Sequence, residues 1–184
     1  MPNQHTFEKF LLKYFFHPFF TSDPVEFRSH LKSAKHVLIL CPESYETSAH
    51  IATLKKIIKL FPKDTVQLTV PGKAKYNPDI HKLEKELGRP VIFPDAAKDN
   101  LLQVSTSEVL KNLKHQPPDV LIDIDAECNL INLFLCKLFP SAVRIGFSKS
   151  SSHSFYNMEY NQRAELSYGL NLENFFHFLK SFTV

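Results

Sequence analysis

The sequence of 184 residues contains no tryptophan, only four glycines and only three cysteines. The cysteines Cys41, Cys128 and Cys136 are odd in number, and their spacing is not that of a zinc site. We expect them to be reduced thiols in the core, as is usual for a cytoplasmic protein. The sequence therefore predicts no metal and no other cofactor.

Long apolar and long basic runs are also missing. No stretch approaches the ~20 apolar residues that a membrane-spanning helix needs, and the N-terminus lacks the features of a signal peptide. The net charge is only +3, which argues against nucleic-acid binding through bulk charge. With 43% hydrophobic and 22% charged residues, the chain can build one folded domain. We expect a cytoplasmic protein.

Short apolar runs rich in branched residues predict buried strands of the kind found in parallel sheets. The clearest are at residues 36–41, 66–70, 120–124 and 143–147, with weaker ones at 90–93 and 155–160. Helical spacing or capping residues between and around them predict helices at 6–16, 24–31, 79–87, 128–139 and 172–182. Two more are predicted to start at Ser44 to Ser48 and end at residue 61, and to start at Ser105 or Ser107 and end at about residue 114. Such alternation requires right-handed crossovers between parallel strands. We predict one three-layer α/β domain over residues 36–184 with a helical arm over residues 1–35.

The loop after the first strand is one candidate site, because ligands of such sheets gather at the carboxyl ends of strands. It contains Glu43, Ser44, Glu46, Thr47 and Ser48. The hydroxyl groups and the helix N-terminus suit an anion, but the loop has no glycine for a phosphate cradle and its glutamates repel phosphate. Glu46 can instead act as a base. The alternative is that Ser44 or Thr47 caps the helix.

A second candidate site follows the third strand and contains Asp123, Asp125, Glu127 and Asn129. Alternation along a strand places Asp123 and Asp125 on one side. Two carboxylates there suit Mg²⁺ or acid–base chemistry. The alternative is that Asp125 caps the next helix while Asp123 binds loop amides. A metal-dependent hydrolase is the weakest hypothesis, because no third acidic ligand is evident at another strand end.

The fourth strand adds Arg144 and Gly146, and the glycine allows a close approach to the backbone. Together, three blocks resemble the N-terminal half of the family 9 glycosyltransferases, the bacterial lipopolysaccharide heptosyltransferases. They are the strand at 36–41 with the helix that ends in Phe61-Pro62 and the strand at 66–70, the Asp-hydrophobic-hydrophobic-Ile-Asp strand ending at Asp123, and the Arg-x-Gly-Phe strand at 143–147. The resemblance covers about residues 36–184.

This resemblance implies a Rossmann-like half of a two-domain GT-B enzyme, the half that holds the acceptor. The chain ends where the linker to the nucleotide-sugar half is expected, so a separate donor-binding polypeptide or a second copy is implied. The place of the family's catalytic Asp corresponds to Glu46 if one residue is deleted from the loop, or to Thr47 if none is. Phe61-Pro62 at the end of the helix favours the deletion, and the resemblance then implies Glu46 as the base. The implied acceptor site is lined by Glu43, Ser44, Thr47, Ser48, Asp123, Asp125, Glu127, Asn129 and Arg144.

Two departures from the family bear on activity. The glycine before the family's catalytic Asp is missing, and Asp125-Ala126-Glu127 replaces the family's Gln-Gly turn. We therefore expect weak, partner-dependent or lost glycosyl transfer to a sugar or lipid-linked glycan. The alternative is a non-catalytic module that binds a sugar, an anion or a protein. The Phe-rich helix at 6–16 either packs on its own domain or lies on the inner-membrane surface.

Overall fold

The computed structural model describes residues 26–42, 48–70, 78–88, 91–92, 108–127, 129–149 and 155–183. The helix predicted at residues 6–16 lies outside this part of the chain, as do Glu43, Ser44, Glu46, Thr47 and Cys128. Cys41 and Cys136 are buried and form no disulfide among the described residues. Within the described residues, no helix is both long and apolar enough to cross a membrane.

Five strands form one sheet in which every neighbouring pair is parallel. They are β1 (Val37–Leu40), β2 (Val66–Thr69), β3 (Val120–Asp123), β4 (Val143–Phe147) and β5 (Met158–Tyr160). The four clear strands of the prediction are confirmed. The predicted strand at 90–93 is reduced to an isolated parallel bridge between Ile92 and Thr69 of β2.

The strands lie in the order β2-β1-β3-β4-β5, with Ile92 beyond β2. The chain therefore builds outwards from β1 to one side, returns, and builds to the other side from β3. This order defines a Rossmann-like domain whose switch point lies between the carboxyl ends of β1 and β3. At the amino-terminal ends of β1 and β3, the Oδ2 atom of Asp119 accepts hydrogen bonds from the amides of Lys35 (2.8 Å) and His36 (3.0 Å).

Six α-helices occur in the described residues: α1 (Phe27–Ser33), α2 (Ser48–Ile58), α3 (Pro78–Leu87), α4 (Glu108–His115), α5 (Leu130–Leu138) and α6 (Tyr168–Thr183). The predicted end of α2 at residue 61 was wrong, because the amide of Leu60 bonds the carbonyl of Ile57 three residues back and tightens the chain into a turn. The predicted start of α5 at residue 128 was also wrong. Asn129 caps this helix by accepting from the amides of Ile131 and Asn132.

Helices cover both faces of the sheet. One core cluster joins Ile39 and Ile122 to Leu54 of α2 and Phe175 of α6, and the other joins alternate strand residues such as Leu121 to α4 and α5. Helix α1, which the sequence assigned to the arm, packs on the first cluster through Leu31. Every residue of β1, β3 and β4 is buried, which accounts for the continuous apolar runs in the sequence.

Candidate functional site

Asp123, the last residue of β3, is fully buried beside the switch point. Its Oδ2 atom accepts hydrogen bonds from the Nζ of Lys149 at 2.9 Å and from the hydroxyl of Tyr156 at 2.5 Å. Its Oδ1 atom accepts from the amide of Asp125 at 3.0 Å and from the Nδ2 of Asn132 at 3.2 Å. Both oxygens are thus engaged inside the protein, and Asp123 holds the fold together at this edge.

The partners of Asp123 after β4 are themselves buried. Lys149 Nζ also donates to the hydroxyl of Tyr156 at 3.2 Å. Burial alone would lower the pKa of Lys149, but the Asp123 carboxylate and its hydrogen bond raise it above the ordinary value. Burial and the same carboxylate raise the pKa of Tyr156 well above its usual range. The ammonium and the neutral phenol therefore both donate to Asp123.

Gly146 makes the Tyr156 contact possible. It pairs in register with Asp123, and a Cβ atom at Gly146 would lie 2.7 Å from Cε1 and 2.8 Å from Cζ of Tyr156. The missing side chain lets the phenol lie across β4 and reach the carboxylate. The sequence predicted a close approach at this glycine but not its partner. Lys149 and Tyr156 were missed altogether, because they flank a Ser-rich loop without a recognisable motif.

Asn132 ties the two strand ends of the switch point together. It is fully buried on the third position of α5, and its Nδ2 donates to the carbonyl of Cys41 at 3.3 Å as well as to Asp123. The carbonyl of Cys41 directly follows β1, so one amide bridges β1 and β3. Such a clasp fixes the positions of the residues that follow β3.

Asp125 is the second carboxylate after β3 and only 4% exposed. Its Oδ1 accepts from the amide of Glu127 at 2.9 Å. In the part of the chain that the structure describes, Oδ2 makes no hydrogen bond. Burial, reinforced by repulsion from Asp123, raises its pKa from 3.8 to about 7, although Glu127 N–H and Lys149 act against the shift. A carboxyl group poised near neutral pH is suited to proton transfer.

The segment before α6 lies along the acidic turn that contains Asp125. Tyr168, the first residue of α6, donates its hydroxyl to the carbonyl of Ile124 at 2.7 Å. Gln162 donates to the carbonyl of Ala126 at 3.4 Å. The ring of Tyr168 meets His50 of α2 edge to face, with centroids 4.8 Å apart. The carboxyl group of Asp125, the phenol of Tyr168 and the imidazole of His50 therefore lie together near the carboxyl ends of the strands.

Some of the other predicted site residues lie near the carboxyl ends of the strands, and one lies elsewhere. Ser48 begins α2, Glu127 is exposed on the turn, and Asn129 caps α5. Arg144 lies near the start of β4 and is 2% exposed, and its backbone amide and Nε donate to Asn157 Oδ1 at 2.9 and 3.1 Å. It is therefore not at the strand's carboxyl end.

A metal site has no support in the described residues, which contain no group of three or more acidic, histidine or cysteine side chains able to hold an ion. The Lys149 ammonium occupies the place beside Asp123 that a cation would need. The fold and this edge define a Rossmann-like α/β domain with one poised carboxyl group at its switch point. Neither a family model nor a curated protein matches the chain.

Proposed function

We propose that the chain is a glycosyltransferase-like domain of the GT-B N-terminal type. It binds the hydroxyl-rich acceptor of a bacterial lipopolysaccharide or related cell-envelope glycan at the carboxyl ends of β1 and β3, in the cytoplasm or at the inner membrane. The observation that carries the proposal is Asp125, a nearly buried carboxyl group at the switch point with a pKa of about 7. The motifs that end at Asp123 and at Phe147 support the same class.

The chemistry requires one proton acceptor. As the acceptor hydroxyl attacks, its O–H bond breaks, a new bond forms to the anomeric carbon of the donor, and the bond from that carbon to the nucleotide phosphate breaks. A carboxylate within hydrogen-bond reach takes the proton. Glu46 is the base implied by the family resemblance, and Asp125 is the described residue with a suitable pKa. A separate donor-binding polypeptide or a second copy supplies the nucleotide sugar.

Asp125 is better placed for this role than Asp123. Both oxygens of Asp123 accept two internal hydrogen bonds each, whereas Asp125 commits Oδ1 to one amide. Repulsion from the Asp123 carboxylate also raises the pKa of Asp125, so one carboxylate tunes the other. The Lys149 ammonium pairs with Asp123 at 2.9 Å.

The second candidate is a non-catalytic binding module for a sugar, an anion or a protein. The commitment of Asp123 to Lys149 and Tyr156 favours it, because the carboxylate that ends the family-like strand then serves the fold alone. Both candidate functions use the carboxyl ends of β1 and β3. They differ in whether a glycosidic bond is formed there.

The experiment combines binding and turnover. Isotope-labelled protein is titrated with a lipopolysaccharide core oligosaccharide, and transfer from a nucleotide-activated heptose is followed by mass spectrometry with and without a candidate donor-binding partner. Shifts near Asp125 together with transfer that Asp125→Asn or Glu46→Gln abolishes support the enzyme. Asp64→Asn, the same change on an exposed turn, is the matched control. Binding without transfer supports the module, and the absence of any shift at this edge refutes both the enzyme and a sugar-binding module.

A further inference from the structure

The acidic turn, residues 125–127, lies between two firmly held points of the chain. Before it, Ile124 is fully buried. Its amide donates to the carbonyl of Leu40 at 3.0 Å, and its carbonyl accepts from the Tyr168 hydroxyl at 2.7 Å. After the turn, Asn129 caps α5. A movement of the turn between these two points therefore leaves β3 and α5 in place.

Asp125 itself takes part in two of the hydrogen bonds that hold the turn. Its amide donates to Asp123 Oδ1 at 3.0 Å, and its own Oδ1 accepts from the Glu127 amide at 2.9 Å. Gln162 Nε2 adds a longer bond, 3.4 Å, to the carbonyl of Ala126. Ala126 is half-buried and Glu127 is exposed, so neither side chain anchors the turn by deep burial. The position of the turn therefore depends on the state of Asp125.

The present position suits a protonated Asp125. The side chain is 4% exposed, and Oδ2 accepts no hydrogen bond in the part of the chain that the structure describes. The Asp123 carboxylate is close by, because its Oδ1 binds the Asp125 amide. Burial with one donor and a like charge nearby disfavours an ionised carboxylate relative to the neutral acid. An ionised Asp125 needs water, which it gains if the turn moves outwards.

The surroundings of Asp125 offer its charge little compensation. Lys149 lowers the pKa of Asp125, but its ammonium binds Asp123 at 2.9 Å, whereas burial, Asp123 and Glu127 raise the pKa. The charged and titratable groups around Asp125 are Asp123 of β3, Glu127 of the turn, Lys149 after β4, Tyr156 before β5, and Tyr168 of α6 with His50 of α2 packed on it.

We propose that the acidic turn is a proton-controlled lid, which stays closed while Asp125 carries a proton and opens towards solvent when that proton leaves. The open turn presents an ionised carboxylate at the carboxyl end of β3, and the closed turn buries the neutral acid. This lid regulates the site of the proposed function, and it rests on that function in one respect: the hydroxyl of a bound acceptor is the group from which the exposed carboxylate takes a proton.

The opening of the lid is linked to pH. The pKa of Asp125 is about 7 in the closed turn and returns towards its ordinary value of 3.8 when the turn is open. Between these two values, each pH unit makes the open turn about ten times more populated relative to the closed turn. Above about pH 7 the ratio becomes constant, because Asp125 is then ionised in both forms.

The test follows backbone amide hydrogen exchange in the whole chain by NMR, from about pH 4.5 to 6.5, inside this window. Exchange rates divided by those of an unstructured peptide give an opening constant for the amides of Asp125 and Glu127. We expect this constant to rise about tenfold per pH unit. It should exceed that of the buried strand residue Ile39 and should not change in dilute urea, because a local opening exposes little surface. An opening constant independent of pH, or one that follows global unfolding in urea, overturns the proposal.

Variants assign the pH dependence to one carboxyl group, with the Glu127 amide as the reporter. Asp125→Asn should make the opening constant the same at every pH. Asp64→Asn, the same change on an exposed turn, should keep the tenfold rise per unit. Gln162→Ala removes the bond to Ala126 and should raise the opening constant by about two- to tenfold, equally at every pH. A pH dependence that survives in Asp125→Asn, or an opening that Gln162→Ala leaves unchanged, overturns the proposal. If Asp125→Asn fails to fold, the wild type and Gln162→Ala decide.

The lid and the proposed function fail separately. A pH-dependent opening of the turn without any binding of the core oligosaccharide refutes the glycosyltransferase-like function and leaves the lid standing. Oligosaccharide binding near Asp125 with an opening constant independent of pH does the reverse.

Discussion

The ion pair between Lys149 and Asp123 gives the sharpest test of how this edge is stabilised. The two atoms Nζ and Oδ2 are 2.9 Å apart, and the two side chains are 4% and 0% exposed. Lys149→Met keeps most of the side-chain length and removes the charge. It leaves a buried carboxylate with the neutral donors Tyr156, Asn132 and the Asp125 amide.

The expected cost follows from that burial. Removing one partner of a buried pair typically costs about 3–5 kcal/mol. The remaining donors still solvate the carboxylate, so we expect the lower end, about 3 kcal/mol in the free energy of unfolding. For a chain of this size that corresponds to a drop in Tm of about 6–12 °C.

The assay is urea unfolding followed by circular dichroism, with a melting curve as a second measurement. Lys56→Met is the matched control, because Lys56 pairs with Glu173 at 2.7 Å but its side chain is 50% exposed. That variant should lose less than about 1 kcal/mol. The double variant Asp123→Asn with Lys149→Met removes both charges and should be more stable than Lys149→Met alone. A loss at Lys149 no larger than at Lys56 would refute the reasoning.

Three further predictions concern the same edge. Between pH 3.8 and about 7 the native state keeps a proton on Asp125 that the unfolded chain has released, so this group makes the protein less stable as the pH rises through that window. As the pH rises from below 3.8 to above about 7, the free energy of unfolding of Asp125→Asn should therefore increase relative to that of the wild type by up to about 4 kcal/mol. A difference between the two proteins that stays constant in urea titrations from acid to neutral pH contradicts this prediction. Gly146→Ala places a methyl group 2.7 Å from the Tyr156 ring and should cost about 1–3 kcal/mol in the same assay; combined with Tyr156→Ala it should add little, and full additivity speaks against the clash. Tyr168→Phe loses the hydrogen bond to the Ile124 carbonyl and should lower the free energy of unfolding by about 1 kcal/mol. Slower amide hydrogen exchange in the turn after β3 would count against a stabilising role of this hydrogen bond.

The sheet was predictable because its signal is local. Runs such as Val37–Leu40 are apolar at every position, and only a strand covered on both faces needs that pattern. Helix ends were less predictable. Asn129 caps α5 with its own side chain, and nothing in its neighbours distinguishes it from Asp125, which the sequence offered as one possible cap.

The sequence predicted where the carboxylates of the candidate site lie, but not which side chains contact them. The turn after β3 was expected to carry function because of its carboxylates, and Asp125 lies there with a shifted pKa. The partners of Asp123 lie 26 and 33 residues further along the chain. A single lysine and a single tyrosine at such separations carry no periodic signal. His50 falls within the first long helix that the sequence predicts, but its contact with Tyr168 of α6 depends on tertiary packing.

The position of β1 between β2 and β3 has a consequence for synthesis of the chain. One edge of β1 can pair with β2 soon after both are made, but the other edge waits for β3. The bond between His36 and Asp119 at the start of these strands spans 83 residues. At typical rates of translation that wait is on the order of 4–17 s. During this time a fully apolar strand presents an open edge, the arrangement most prone to pairing with another chain. Expression at lower temperature or with a holding chaperone should therefore raise the soluble yield.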